Sequence, residues 1–552
     1  MWDSIGLPLP ILIAILVVLL GIVMAAVRSK ISRSAQALLV ILLIGAALRL
    51  RWIEQPYIDY FSWRQSDVAM IAGNYLRSNA NIFYPAINWS GPQPGYVGFE
   101  FQTVSYLAML LYRVFGQQDW IGRCIAIAFG VCGIFALYKL VALAWNQNLA
   151  LLTAALMAIL PASVFIERSF LPDPAMVALM TASLWLLVRY LQSDKLFFLI
   201  FSLLLGALGA LTKITGLIMD LPALYILVVL LPKKPDKQKR LAVIMLSGLL
   251  ILTVVTLYYL WAWRLAILYP PHHFSGRGNW LWDTPLSTWL AEQYFIPTLF
   301  RISRSLLWTL PVLLLTTTGF CYLLSYASVN RHRNDTLFNF ELPWLFHWWL
   351  AACALLYLIG ALEVIKNPWN LHLVTPAIAA LSALALAAIF RVVHRRTWPP
   401  AAVAATIAFL LLLWGLGARQ NLSWLYKAQA YEDYLLGRRL QELSEPDDLV
   451  VTINHILGNP TAIYYSQRRG WVFPTFTPGV WLALKSPDDE NEALTIEELA
   501  RLRGEGARWL GIDPRKWEQL RQENPKLSAY IENNTSLVEE REQHLIYQFD
   551  DN

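Results

Sequence analysis

Residues 241–268 read LAVIMLSGLLILTVVTLYYLWAWRLAIL, and Arg264 is the one charge in the run. A helix needs about 20 predominantly apolar residues to cross the hydrocarbon core of a bilayer. This run exceeds that length, so it reads as a membrane span. Working outward, comparable runs lie at about 6–27, 36–52, 120–145, 149–167, 172–192, 196–212, 214–231, 304–326, 342–364, 370–392 and 400–417. The pattern predicts a polytopic α-helical membrane protein of about 12 spans.

Composition points the same way. Hydrophobic residues make up 57% of the 552 residues and charged residues 15%. Ordinary globular domains are about 45–50% apolar and about 25% charged. These figures exclude a disordered chain, a nucleic-acid module and a standard cytosolic enzyme. The bias runs through most of the chain, which also excludes a single anchor on a soluble domain. The 24 tryptophans suit membrane–water interfaces. Cys124, Cys132, Cys321 and Cys353 all fall in apolar runs and read as buried thiols, with no disulfide or metal cluster implied.

The net charge of +6 is sorted along the chain. Basic loops at Arg28, Lys30 and Arg33, at Lys233, Lys234, Lys237, Lys239 and Arg240, at Arg331 and Arg333, and at Arg391, Arg395 and Arg396 all belong on the cytoplasmic side. Asp3 and the lack of a basic run before residue 6 argue for a retained first span rather than a cleaved signal peptide. The alternation holds if FQTVSYLAMLLYRVFG (101–116) lies in the outer interface instead of crossing. The extracytoplasmic side then receives the loop 53–119, the loop 269–303 and the tail 418–552. Residues 1–417 would form the transmembrane catalytic domain and 418–552 a small outer domain. More than half of the acidic residues lie in that tail. Its helical stretches near 427–444 and 495–504, a helix ending near Tyr465, and strands at 449–453, 508–512 and 544–549 predict an α/β domain of parallel-sheet type. It has no phosphate-binding glycine fingerprint, and reads most simply as a packing or docking module.

The first outer loop carries Asp59, Arg64, Asp67 and Glu100. Ser66-Asp67 precedes the apolar pattern VAMIAGNYL, so either side chain is a natural helix cap. A carboxylate at such a place, facing a membrane-level cavity, also suits a base for an acceptor hydroxyl. Arg64 can pair with Asp67 or grip a phosphate. A second cluster, FIERSFLPDPAM, holds Glu167, Arg168 and Asp173, with an Arg168–Asp173 ion pair as the plain structural alternative. Lys213 in LTKITG, near Asp220, and Lys366 and His372 in ALEVIKNPWNLHLVTP add cations, as does Arg277 in PPHHFSGRGNW. The His272–His273 pair has poor geometry for one ion, so no metal site is assigned. Carboxylates suited to a hydroxyl and cations suited to a lipid phosphate point to a transferase acting on a membrane-borne phosphate ester.

The segments SWRQSDVAMIAGNYL, NIFYPAINWSGPQPGYVGFEFQTVSYLAMLLYRVFG, FLPDPAM, LTKITGL and NPWNLHLVTPAIAAL, within roughly 50–400, resemble the GT-C type glycosyltransferases that use polyprenyl-phosphate sugars. These include the protein O-mannosyltransferases and the aminoarabinose transferases. The resemblance implies a GT-C fold with outer interface helices. It implies a polyprenyl-phosphate-linked sugar donor, a hydroxyl acceptor (lipid, glycan or protein) and inversion at the anomeric carbon. Where better-known members carry an adjacent Asp-Glu pair, this chain has Arg64-Gln65, so the catalytic role moves to Asp67, with Asp59 in reserve. Arg64, Gln65, Glu100, Arg168, Asp173, Lys213, Arg277, Lys366 and His372 are the candidate substrate-binding residues. Glu100-Phe101 stands where the aminoarabinose transferases have Glu-Lys, so another cation must meet the phosphate. No cofactor is identified and a divalent metal requirement stays open. Membrane lipids are expected partners and nucleic acid is not. A transporter or flippase of lipid-linked sugars, and a non-catalytic envelope-assembly protein, are the alternatives. The first expects an internal repeat, which the sequence does not show.

Overall fold

In the computed structural model, the described residues are 32–78, 80–274, 295–329, 340–395, 399–475, 477, 479–486 and 488–550. The expected first span at 6–27 and Arg277 lie outside them. The chain divides into two compact units. One comprises residues 1–54, 123–258 and 276–425; the other comprises 55–122, 259–275 and 426–552. The first outer loop and the tail thus share a unit.

The first unit is helical. Among the described residues five helices are long and apolar enough to cross a membrane: Asp119–Ala144, Pro172–Ser193, Ile214–Lys233, Lys237–Leu268 and Pro368–Val393. Phe295–Leu307 and Leu310–Leu324 form a pair bent by 113° that makes a sixth if it counts as one span. Gln147–Ile159, Leu196–Thr212 and Leu345–Ile359 are apolar but shorter. The expected span 149–167 is broken. Pro161 opens a new short helix, Pro161–Ile166, and the residue before it, Leu160, is held extended with ψ 134°. Lys213, also extended, ends the helix Leu196–Thr212 and precedes a 3-10 turn. Polar hydroxyls tie helices together where lipid offers no partner. Ser183 and Ser202 each donate to the other's backbone carbonyl, at 2.7 and 2.8 Å. Thr316 and Ser382 share a hydrogen bond of 2.9 Å. The helix Lys237–Leu268 leaves Leu246, Leu249, Leu250, Leu257 and Leu260 exposed, as a lipid-facing helix does.

The second unit contains a five-stranded sheet and a short hairpin. The hairpin pairs β1 (Ala86–Ile87) with β2 (Gly95–Tyr96) across the Gly-Pro-Gln-Pro-Gly return. The sheet is built from β3 (Leu449–Ile453), β4 (Arg469–Val472), β5 (Ala507–Ile512), β6 (Thr535–Arg541) and β7 (His544–Phe549), in the order β4-β3-β5-β7-β6. Strands β4, β3 and β5 run parallel, as their helical crossovers require. Strands β7 and β6 are antiparallel, so the sheet is mixed and not of the purely parallel type expected. The two strands the sequence did not announce are edge strands, RGWV and TSLVEER, whose polar and glycine content suits an edge. Val451, Ile453, Leu499, Leu510, Ile512, Trp517 and Leu520 form the core under the sheet. The stretch 101–116 contains a 13-residue helix, Thr103–Phe115. Val104, Ala108 and Tyr112 are buried while Leu107, Leu110, Leu111 and Val114 are exposed, an apolar outer stripe that suits an interface helix.

Close packing in the first unit yields a direct check. A Cβ added at Gly319 would run into the backbone carbonyl of Leu381 on the neighbouring helix. Gly319→Ala is therefore expected to cost about 1–3 kcal/mol through overpacking. Thermal unfolding in detergent measures it, and an unchanged melting temperature would show that the two helices do not meet at this glycine.

Candidate active site

The helix that carries Arg64, Gln65 and Asp67, Ser62–Arg77, begins four residues before Ser66. Ser66 and Asp67 are therefore interior helix residues, not caps. The start is made by Asp59. Its backbone carbonyl accepts from Ser62 N at 2.9 Å, and its Oδ1 accepts from Phe61 N at 3.2 Å. Gln65 Nε2 donates to the same oxygen at 2.6 Å. Asp59 and Gln65 are both fully buried. Of the two, Gln65 is placed as a support for Asp59.

Asp67 projects from the next turn and is 4% exposed. Trp89 Nε1 donates to its Oδ1 at 2.9 Å. Burial pushes the carboxyl up to about 6; the Arg64 charge and the Trp89 hydrogen bond pull the other way, and Glu100 adds to the rise. Arg64 pairs with Glu100 rather than with Asp67, and its guanidinium lies 4.7 Å from the centroid of the Phe99 ring. His273 meets Trp89 and Phe99 edge-on, at ring-centroid distances of 6.3 and 5.2 Å. Burial first, then Arg64, lowers the His273 imidazole to about 4, so it is neutral at physiological pH. Asp67 is thus a dry carboxyl with an indole donor, an Arg–Glu pair and a neutral imidazole around it. That arrangement suits a group that takes up a proton near neutral pH.

The first unit holds a separate buried cluster. Arg49 Nη2 and Nε contact Glu167 Oε2 at 2.5 and 2.9 Å. Arg49 also donates to the carbonyls of Gly45 and Ala158 at 2.7 and 3.0 Å and to Ser163 Oγ at 2.8 Å. His372 Nε2 lies 3.2 Å from Glu167 Oε1. Lys213 Nζ donates to Asp173 Oδ1 and Asn370 Oδ1, both at 2.6 Å. The alternative Arg168–Asp173 pair is not formed: Arg168 donates to the carbonyl of Trp52 at 2.9 Å. Lys213 likewise pairs with Asp173 and not with Asp220. Asp173 Oδ2 is buried and accepts no hydrogen bond among the described residues. Lys366, at the end of the helix Ala361–Lys366, is exposed. Fully buried against Glu167, His372 is poorly placed to meet a phosphate.

Three members of these clusters escaped the sequence reading. Trp89 sits in a turn-rich run, NWSGPQPG, where an indole with a buried carboxylate partner has no local signature. Arg49 looked like the end of a span. Asn370 shares a short turn with His372, and NPWNLHL offered both. His272 and His273 diverge: His272 Nδ1 lies 3.1 Å from the Ala266 carbonyl, while His273 enters the aromatic slot. Among the described residues no group of three or more His, Cys, Asp or Glu side chains is placed to hold a metal ion.

Comparison with known proteins bears on the fold. Residues 103–261 match the family described as dolichyl-phosphate-mannose-protein mannosyltransferase. A curated Bacillus subtilis (strain 168) relative, named "Putative mannosyltransferase YkcB", is 25% identical over 226 residues, which is 40% of this chain. The matched part spans 29% of that relative's length. Among solved structures, the Archaeoglobus fulgidus oligosaccharyltransferase crystallised with Zn and sulfate superposes with a TM-score of 0.59 and 13% identity, covering 90% of this chain and 71% of that one. ArnT from Cupriavidus metallidurans bound to undecaprenyl phosphate gives a TM-score of 0.55 and 14% identity, covering 93% and 97%. These likenesses show the GT-C fold, in an integral membrane protein.

The Arg49–Glu167 pair makes a stability prediction. Glu167→Leu leaves a guanidinium buried without its carboxylate and is expected to cost about 3–5 kcal/mol. Adding Arg49→Met should recover most of that loss, because the desolvated charge is then gone. A double-mutant cycle by thermal unfolding in detergent checks it; additive losses would show that the two side chains do not act as a pair.

Proposed function

We propose that this chain, with its GT-C fold, is an integral-membrane glycosyltransferase that moves a sugar from a polyprenyl phosphate to an acceptor hydroxyl. The reaction takes place on the extracytoplasmic face and inverts the anomeric carbon. The observation that carries the reading is Asp67: a buried carboxyl with a raised pKa on the first outer loop, beside an arginine. Support comes from the match to a mannosyltransferase family and from a fold shared with ArnT, a protein solved with undecaprenyl phosphate bound. In this reading the five long apolar helices, the bent pair and the shorter apolar helices belong to a bundle of about 12 crossings.

Ionised Asp67 removes the proton of the acceptor hydroxyl as its oxygen attacks the anomeric carbon. The bond from that carbon to the phosphate oxygen breaks, and polyprenyl phosphate departs with the electron pair. Burial keeps Asp67 basic enough to accept the proton, and Trp89 holds the carboxylate in one orientation. Charge developing on the leaving phosphate needs cations. Arg64 is one candidate, and Lys213, Lys366 and Arg277 are others. Asp59 is engaged by Gln65 and a backbone amide, which suits a support better than a base.

Asp67→Asn is expected to lower turnover by about 10²-fold or more, the usual contribution of a positioned base, with the folded yield unchanged. Purified protein and a lipid-linked sugar give the measurement. Near-normal turnover in Asp67→Asn together with loss in Asp59→Asn would transfer the role to Asp59. The pH profile tests the same assignment independently. Asp67 works ionised, so turnover should rise with pH through about 6, level off above it, and fall as the carboxyl protonates below it. An acidic limb near the ordinary aspartate range would contradict a buried base.

A further inference from the structure

The helix Ser62–Arg77 is held by residues almost 400 positions later in the chain. Asn459 Nδ2 donates to Ser62 Oγ at 3.2 Å, and Ser66 Oγ lies 3.2 Å from Thr461 Oγ1. Thr461 uses its one hydroxyl proton on Asn459 Oδ1 at 2.7 Å, so Ser66 is the donor in the second contact. Ser62 and Ser66 are one turn apart and face the same side of the helix. The turn before the helix is held as well. Tyr57 N donates to Tyr465 Oη at 2.6 Å, and Ala430 N donates to the Ile58 carbonyl at 3.0 Å. Tyr464 and Tyr465 both donate to the Asp119 carboxylate, at 2.8 and 2.6 Å, and Tyr57 Oη donates to the Asp119 carbonyl at 2.7 Å. Ser62, Ser66, Asn459, Thr461, Tyr464 and Tyr465 are all buried.

One glycine allows this approach, and a second joins the tail to the neighbouring loop. Gly458 has φ +81°, and a Cβ there would come within 2.6 Å of Trp481 and 2.8 Å of Trp63. Gly470 exchanges backbone hydrogen bonds with the loop that carries Trp89, accepting from Gly91 N at 2.8 Å and donating to Asn88 O at 2.9 Å. The tail therefore touches both supports of Asp67: the helix from which it projects and the loop that supplies its indole donor.

We propose that the tail segment Gly458–Gly470 is a positioning element for the transfer reaction. Asn459 and Thr461 fix the axial register of the Asp67 helix, and Tyr465 fixes the Asp59 turn that starts it. A docking module needs only apolar contact. Directional hydrogen bonds onto two serines of one helix face restrict sliding and rotation, the motions that would move Asp67 relative to an acceptor oxygen. The proposal rests on the reading of Asp67 as the base. It assigns the tail a part in catalysis without placing any tail residue against substrate.

The test uses the full-length protein in detergent or nanodiscs, with turnover normalised to the folded fraction. Thr461→Val and Tyr465→Phe each remove one hydroxyl with little change of shape. A misplacement near 1 Å can cost about 10²-fold in rate, so each variant is expected to lower kcat by about tenfold or more. KM for the lipid-linked sugar should stay within about twofold, since the reacting geometry and not donor binding is disturbed. Water admitted beside Asp67 should move the acidic limb of the pH profile to lower pH, and Thr461→Ser should restore both kcat and the limb. Arg521→Ala, on an exposed face of the tail, serves as a control with parental turnover. A parental kcat and acidic limb in both variants, with Asp67→Asn inactive, would overturn the positioning role and leave the base assignment standing. A loss of turnover that only tracks the folded fraction would also overturn it. An active Asp67→Asn would instead remove the reading on which the proposal rests.

Discussion

A carboxylate taken out of water must find a partner or give up its charge. In a chain with so few charged residues, this constraint decides where each buried one stands. Glu167 meets Arg49 and His372. Asp173 meets Lys213 on one oxygen. Asp59 meets an amide and Gln65. Asp67 alone among these four has neither a cation in contact nor a backbone donor, only an indole N–H. Its nearest cation, Arg64, is committed to Glu100. The asymmetry sets Asp67 apart chemically: the other three meet a cation or a backbone amide, while burial raises Asp67 to about 6, near the point where either protonation state is accessible.

The departure from the resembled family has a physical account in these pairings. Arg64 and Gln65 stand where the resemblance leads one to expect an acidic pair, and each is bonded to an acid from elsewhere: Gln65 to Asp59, Arg64 to Glu100. Two carboxylates are thereby kept beside the helix start although neither is adjacent in sequence to the other. Lys213 shows the same economy in the first unit. It bonds to Asp173, 40 residues before it, and to Asn370, 157 residues after it, and Asp173 retains one oxygen without a donor among the described residues. For Lys213 to meet a phosphate it would have to release one of these oxygens, so its availability depends on what binds at Asp173.

Much of the architecture was legible because it rests on local pattern. Apolar runs marked the helices, and LVVTI, RWLGI and HLIYQF marked β3, β5 and β7, because strands buried near the middle of a sheet are continuously apolar. β6 was invisible for the converse reason, since its edge position is written in polar residues, and β4 because RGWV is a four-residue run opening on Arg469-Gly470, too short to register as a strand. The start of the Asp67 helix was misread by one turn because its cap is a carboxylate three residues upstream, working through a turn instead of the usual side-chain-to-amide cap within the helix. The residue types of the site were readable, but their pairing was not. Arg64–Glu100, Lys213–Asp173 and Arg49–Glu167 are separated by 36, 40 and 118 residues. No spacing rule connects such positions.

The tail contacts follow from the same constraint acting on neutral groups. Ser62 and Ser66 lie on a helix face that is buried, and a hydroxyl buried without a partner costs about 1–3 kcal/mol. A helix bearing two such serines on one face is stable only against a surface that offers matching polar atoms, and Asn459 and Thr461 supply them. Apolar residues at 62 and 66 would have let the helix slide on its neighbour at little cost. Serines admit a single register, because each hydroxyl is satisfied in one place. The polar face therefore specifies position as well as cohesion, and the group whose position it specifies, one residue beyond Ser66, is Asp67.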